Sequence, residues 1–217
     1  MYNLLMKDLK LGVHPIFLVM PFLTGALMLI PGWIYFIVLL YFCWITIPNM
    51  CNQFRAQNDL MFTSMMPVTK RDMVKARVSV IVLLELLHLI VAAIFGIFTI
   101  LLYPNLKYYF FPPSIGFWGL CLVMFAIFNL IFIPMFYKTA YKFGKALFVS
   151  ITVAMLFAGI AQWIGIQSPV VSDIFYSRDA HNLLLQTSIL IAGIVIFSVT
   201  SVLAYRIAFK RFLQVEI

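Results

Sequence analysis

The sequence reads SMMPVTKRDMVKAR over residues 64–77 and runs directly into VSVIVLLELLHLIVAAIFGIFTILL over residues 78–102. Pro67 ends the segment before it, and Thr69 with Asp72 three residues later forms an imperfect capping box, which marks a helix start. A small apolar face follows, made of Met73, Val74 and Ala76. The pattern predicts a capped, amphipathic basic helix. A loop that served only as a turn would not need such a helix.

The composition is that of an integral membrane protein. Hydrophobic residues make up 65% of the 217 residues and charged residues 10%, whereas soluble domains carry roughly 25% charged residues. None of the apolar runs alternates with polar residues, as the strands of a membrane β-barrel do. Helices are then the remaining way to span a bilayer. We therefore predict an all-α integral membrane protein.

Six apolar runs are long enough to cross a hydrocarbon core of about 30 Å, which takes about 20 helical residues. They cover residues 13–30, 32–50, 78–102, 115–136, 146–164 and 183–205. The loops between them are short, so residues 1–217 form a single transmembrane domain. Before the first run, residues 2–11 mix leucines with Lys7, Asp8 and Lys10. This segment is either a helix lying in the membrane interface or a plain charged flank.

The basic residues are distributed unevenly along this topology. If the amino terminus is cytoplasmic, all of the 15 Lys and Arg residues except Lys107 and Arg178 lie on the cytoplasmic side. The positive-inside rule therefore predicts six spans with both termini in the cytoplasm. The net charge of +8 is then a basic rim beside anionic lipid, and no nucleic-acid partner is needed.

Motifs for catalysis and for phosphate binding are absent from the sequence. It contains no G-x-S-x-G, no H-E-x-x-H and no G-x-x-x-x-G-K-[ST], since Gly144-Lys145 lacks the upstream Gly and the following Ser or Thr. The odd number of cysteines indicates neither a disulfide nor a metal site. We predict no catalytic residue, no metal site and no ATPase site in this chain.

The predicted topology and the segment from Asn58-Asp59 through Arg77 resemble the permease subunits of type-2 ATP-binding-cassette (ABC) exporters of bacterial cell membranes. The resemblance is nearest to small permeases of the phenol-soluble-modulin exporter type. In that family the segment at 58–77 contains the coupling helix, which docks on the nucleotide-binding subunit. The resemblance assigns ATPase coupling to Asp59, Ser64, Met65, Met66, Pro67, Val68, Thr69, Lys70, Arg71, Asp72, Met73, Val74 and Arg77.

The family implies a working unit of two permeases and two cytoplasmic ABC ATPase subunits, the second permease being a copy or a paralogue. ATP and Mg are then bound by the ATPase, and this chain binds no cofactor. Basic residues of the segment are expected to pair with acidic groups of the ATPase, namely Lys70, Arg71, Lys75 and Arg77. Apolar residues are expected to fill its groove, namely Met65, Met66, Met73 and Val74. Alternatively, the charges only anchor the loop at anionic headgroups.

The resemblance also suggests a substrate class. An apolar, aromatic-rich chain without an outer domain suits amphipathic cytolytic peptides carried out of the cell. Bacteriocins or antimicrobial peptides are the alternative cargo. A different class, the six-span substrate-capture component of vitamin importers, is also small and basic, and it would bind its ligand tightly without an ATPase.

Two polar residues inside the third run are further candidates. Glu85 lies where an ionised side chain costs about 2.5 to 3.5 kcal/mol, and His88 follows one turn later on the same helix face. They form a structural hydrogen-bonded pair, line the transport path, or handle protons as in an intramembrane hydrolase. Asn129 and Gln162 are predicted to bond across helices. A small-residue packing face is predicted in the fifth run, at Ala154, Ala158 and Ala161 with nearby Gly159.

Overall fold

The computed structural model describes residues 2–12, 16–104, 106, 108–139, 142–176 and 179–214. Within these residues the chain forms ten α-helices and no β-strand, which confirms the all-α prediction. The helices are α1 (Tyr2–Gly12), α2 (Ile16–Gly25), α3 (Phe36–Tyr41), α4 (Ile47–Ala56), α5 (Asp59–Ser64), α6 (Lys70–Leu102), α7 (Ile115–Lys138), α8 (Gly144–Gln167), α9 (Pro169–Tyr176) and α10 (Ala180–Leu213).

Five helical stretches of the described chain are long and apolar enough to cross a membrane. They are Phe36–Ala56, α6, α7, α8 and α10, and they correspond to the second through sixth predicted spans. The first predicted span differs, because its described apolar part, Phe17–Leu29, is a shorter helix. Pro21 lies inside α2, and the helix tightens into a 3₁₀ turn at Ala26–Leu29. Residues 13–15 of that span lie outside the described residues.

The second span is one helical stretch made of three pieces. A π-helical turn, Phe42–Thr46, joins α3 to α4. Pro48 stands at the start of α4 and cannot donate a backbone hydrogen bond to the preceding turn, which is a common cause of such an irregularity. The whole stretch ends at Ala56, which is six residues beyond the predicted boundary at residue 50.

Helices α7 and α10 pack with their backbones in direct contact. A Cβ atom on Gly119 would lie 2.5 Å from the carbonyl oxygen of Ile189, and one on Gly193 would lie 2.5 Å from the carbonyl oxygen of Gly119. Glycine at both positions is what lets the two helices approach so closely. This crossing fixes α10, most of whose surface is otherwise exposed.

Helix α8 packs through small residues at a four-residue spacing. Its buried face contains Ala146, Ser150, Ala154 and Ala158. The predicted small-residue face is therefore confirmed at Ala154 and Ala158, while Ala161 is half-buried. Gly159 does not belong to it, because a Cβ atom there would meet open space.

Candidate functional site

Helix α6 begins with the predicted cap. Thr69 has extended backbone angles, and its hydroxyl oxygen accepts a hydrogen bond from the backbone N–H of Asp72 at 3.1 Å. The same hydroxyl donates to the Asp72 carboxylate at 2.7 Å. The acid thus bonds the Thr69 side chain, where a full capping box would bond its backbone N–H. Helix α6 then runs unbroken from Lys70 to Leu102, so the cap sits at the end of a long membrane helix.

We expect the Thr69→Ala variant to loosen the first turn of α6. Losing an N-cap side chain costs about 0.5 to 2 kcal/mol of helix stability. Hydrogen exchange of the amides at residues 70–73 should therefore accelerate, measured by mass spectrometry on the protein in nanodiscs. Thr152→Ala is the control, since the Thr152 hydroxyl bonds only within the exposed middle of α8. Equal exchange in both variants would contradict the capping role.

Four charged side chains from three helices form one buried group, which we name the charge cluster: Lys7, Asp8, Asp59 and Arg77. Lys7 Nζ lies 2.6 Å from Asp59 Oδ1 and 3.1 Å from Asp8 Oδ1. Arg77 donates to the Asp59 carboxylate and lies 3.4 Å from Asp8 Oδ2. Thr63 of α5 donates to Asp59 Oδ1 at 3.2 Å. The cluster therefore ties α1 to α5 and α6.

The charges of the cluster balance, with two acids and two bases. The side chains of Asp8, Asp59 and Arg77 are at most 4% exposed. Burial raises the pKa of Asp59, but the attraction of Arg77 and Lys7 outweighs burial and holds that pKa below its usual value. The Arg77 guanidinium also lies 3.5 Å from the ring centroid of Phe54, which adds α4 to the group.

The structure divides the predicted coupling residues into a buried and an exposed set. Asp59, Met73, Val74 and Arg77 are buried within the chain itself, so they are not presented to a partner in this conformation. The exposed or half-buried set comprises Ser64, Met65, Met66, Pro67, Val68, Thr69, Lys70, Arg71 and Asp72. Met65 is the most prominent of these, with 72% of its surface exposed.

Helix α5 adds two residues that the sequence analysis missed. Met61 and Phe62 are large apolar side chains that are exposed within the segment at 58–77 but were not among the predicted coupling residues. We name the combined patch the coupling surface: Met61, Phe62, Met65, Lys70 and Arg71. An exposed apolar patch beside basic residues is typical of a protein interaction site. The missed signal was the apolar trio Leu60, Met61 and Phe62 directly after Asp59.

The coupling surface also contacts the carboxyl-terminal end of α10. Arg71 Nε donates to the Tyr205 hydroxyl at 3.2 Å, and Lys70 Nζ lies 5.5 Å from the ring centroid of Phe212. Through these contacts and the charge cluster, the start of α6 contacts both α1, near the amino-terminal end of the described chain, and α10, near its carboxyl-terminal end.

Glu85 and His88 are both buried, but the structure does not pair them with each other. Asn129 of α7 donates to Glu85 Oε2 at 2.7 Å, which confirms the predicted bond of Asn129 across helices. His88 Nε2 donates to the Val38 carbonyl at 3.0 Å and lies 3.3 Å from the Thr24 hydroxyl. The two side chains therefore join α6 to different neighbours, and their role in a transport path stays a prediction.

The chain is similar to a known family of membrane transport proteins. A family model described as ABC-2 family transporter protein matches residues 3–208, which is nearly the whole chain. No curated protein and no solved structure matches the chain. The membrane subunits of this family work with an ABC ATPase subunit. The chain belongs to the ABC-2 transporter family and is the membrane permease subunit of an ABC transporter.

Proposed function

We propose that this permease exports amphipathic cytolytic peptides of the phenol-soluble-modulin class from a bacterial cell. Export is driven by a separate cytoplasmic ATPase that docks on the coupling surface. Both termini and the coupling surface face the cytoplasm, as the distribution of basic residues favours. In this arrangement α2 with its 3₁₀ turn forms most of a sixth, short membrane-inserted segment.

One observation carries the proposal: the coupling surface is continuous with a membrane-length helix. Helix α6 has 33 residues, which at about 1.5 Å per residue is longer than the bilayer core. A force applied at Lys70 and Arg71 therefore acts on one end of a long, rigid helix. Because the charge cluster holds α1 and α5 to α6, we infer that the three helices move together and tilt α6 within the bundle.

The proposed working unit has two permeases and two ATPases. ATP and Mg are bound and hydrolysed in the ATPase subunits, and this chain contributes no catalytic group. Its mixture of basic and exposed apolar residues at the coupling surface suits an acidic groove with apolar walls on the ATPase.

Reversing the two charges of the coupling surface should uncouple ATP hydrolysis from export. We expect Lys70→Glu with Arg71→Glu to weaken ATPase binding on the order of tenfold or more, because each reversal replaces attraction with repulsion. Membrane insertion should be unaffected. The measurement is transport of a labelled amphipathic peptide into inverted vesicles, with ATP hydrolysis followed in parallel.

The matched control is Arg206→Glu with Lys210→Glu, which reverses two exposed basic residues one turn apart on α10. This control should transport as the native protein does. Unchanged peptide transport by the Lys70 and Arg71 variant would contradict the proposed docking surface.

The proposal as a whole is tested by affinity capture of the tagged chain from its native membrane, read by mass spectrometry. We expect an ABC ATPase to co-purify, and to be lost from the Lys70 and Arg71 variant. Capture without any ATPase, but with a tightly bound vitamin, would contradict the exporter assignment and favour a substrate-capture role.

A further inference from the structure

A cavity of about 710 Å³ lies at the end of the bundle opposite the coupling surface. It is lined by the last turns of α6, the loop before α7, the start of α7, and α9 with the start of α10, and it is partly open to the outside. Its walls include Ile97, Ile100, Tyr108, Pro113, Trp118 and Phe175. We propose that this cavity is a binding site for one acyl chain of a membrane phospholipid.

The chemistry of the walls favours hydrocarbon over water. The lining is mostly aliphatic and aromatic carbon, and two of its polar side chains already have partners. Gln186 Nε2 donates to the Ile174 carbonyl at 2.6 Å, and the Tyr176 hydroxyl donates to the Phe110 carbonyl at 2.8 Å. A buried water needs two to four polar partners, which these walls do not offer along most of their surface. Leaving the space empty would forfeit dispersion contacts along its lining.

The cavity is continuous with the surface that faces lipid. Ile97 is 57% exposed, and Tyr103 and Leu183 beside it are also exposed. Ile97 belongs to α6 and Leu183 to α10, both of them membrane-length helices. An acyl chain can therefore enter sideways from the bilayer without crossing water. The volume lies within the range of about 300 to 1,000 Å³ that is typical of small-ligand sites.

One polar atom of the lining suits the polar end of such a lipid. The Ser114 hydroxyl oxygen is buried and has no hydrogen-bond partner among the described residues. Ser114 lines the cavity in the loop that leads into α7. A hydroxyl donor at this place can bond the ester carbonyl at the head of an acyl chain, which would satisfy the orphan group. The occupant is therefore an esterified chain and not a plain hydrocarbon.

The test uses the full-length protein in vesicles of phosphatidylglycerol that carries a photoreactive diazirine on one acyl chain. After illumination, labelled residues are located by mass spectrometry. We expect labelling concentrated on cavity-lining residues of α6 and α7. Ile97→Trp should reduce that labelling to the level of the general lipid-facing surface, because the indole fills the cavity. Ile94→Trp is the control, since Ile94 is exposed one turn away on α6 outside the lining.

If Ile97→Trp does not fold, as judged by gel filtration, Ala93→Phe fills the same cavity from the preceding turn. Labelling spread evenly over lipid-exposed residues, or unchanged in a folded cavity-filling variant, would overturn the proposal. So would labelling of the cavity by a photoreactive amphipathic peptide in preference to the lipid. The site does not depend on the exporter assignment, because neither the ATPase nor transport is needed for labelling.

Discussion

Replacing Arg77 with alanine should destabilise the protein by about 3 to 5 kcal/mol, the usual cost of removing one partner from a buried ion pair. Among the described residues, Asp8 and Asp59 would then share Lys7 as their one counter-charge, at a site almost closed to water. The cation–π contact with Phe54 would be lost as well. The free energy of unfolding can be followed by denaturant titration of the protein in mixed micelles.

Two further variants distinguish disruption of the charge cluster from the general effect of removing an arginine. Arg55→Ala removes an exposed arginine of α4 and should change stability by no more than about 0.5 kcal/mol. Asp59→Asn combined with Arg77→Gln leaves one acid and one base, Asp8 and Lys7. This double variant should recover much of the stability that is lost when Arg77 alone is replaced. Strictly additive effects of the two single substitutions would show that these charges do not act as a unit.

Gly119→Ala should also destabilise the protein strongly, although it adds only one methyl group. That methyl would lie 2.5 Å from the Ile189 carbonyl oxygen and 2.8 Å from Leu190 Cα, both backbone atoms that cannot rotate away. Helices α7 and α10 must then separate, and overpacking of this kind costs about 1 to 3 kcal/mol. The loss should appear as lower stability in the same titration.

The control for Gly119→Ala should change the stability in the opposite direction. Gly159→Ala places its methyl in open space on α8 and should stabilise the helix by up to about 1 kcal/mol, since alanine is the better helix former. If the two alanine substitutions had the same effect, the close crossing of α7 and α10 would be refuted.

The parts of the fold that depend on residues close together in the sequence could be predicted from it. The start of α6 is set by Thr69 and Asp72 within four residues, and the helix persists because residues 78–102 are nearly all apolar. The second span shows the limit of this reasoning. Hydropathy ends it near residue 50, yet the helix continues to Ala56 through polar residues, since helical hydrogen bonding does not stop where the side chains become polar.

The candidate site could be predicted only in part. Its exposed residues lie close together in sequence, so residues 64–72 can be picked out as one segment, whose coupling role stays a prediction. The charge cluster was not, because Lys7 and Asp59 are 52 residues apart and Asp8 and Arg77 are 69 apart. Charge alone made Arg77 a candidate for the partner surface, whereas tertiary packing buries it in the charge cluster. Pairing over such distances depends on how α1 folds against α6, which no local pattern records.

Docking of an ATPase on the coupling surface, on the cytoplasmic side, can be tested with an introduced cysteine at Met65, because the native residues Cys43, Cys51 and Cys121 are buried. The measurement is reaction of Met65→Cys with a membrane-impermeant thiol reagent in sealed vesicles of either orientation, with and without the co-purified ATPase. We predict labelling in inside-out vesicles only, and protection when the ATPase is bound. Labelling in right-side-out vesicles would contradict the cytoplasmic position of the coupling surface. Equal labelling with the ATPase bound would contradict docking of the ATPase there.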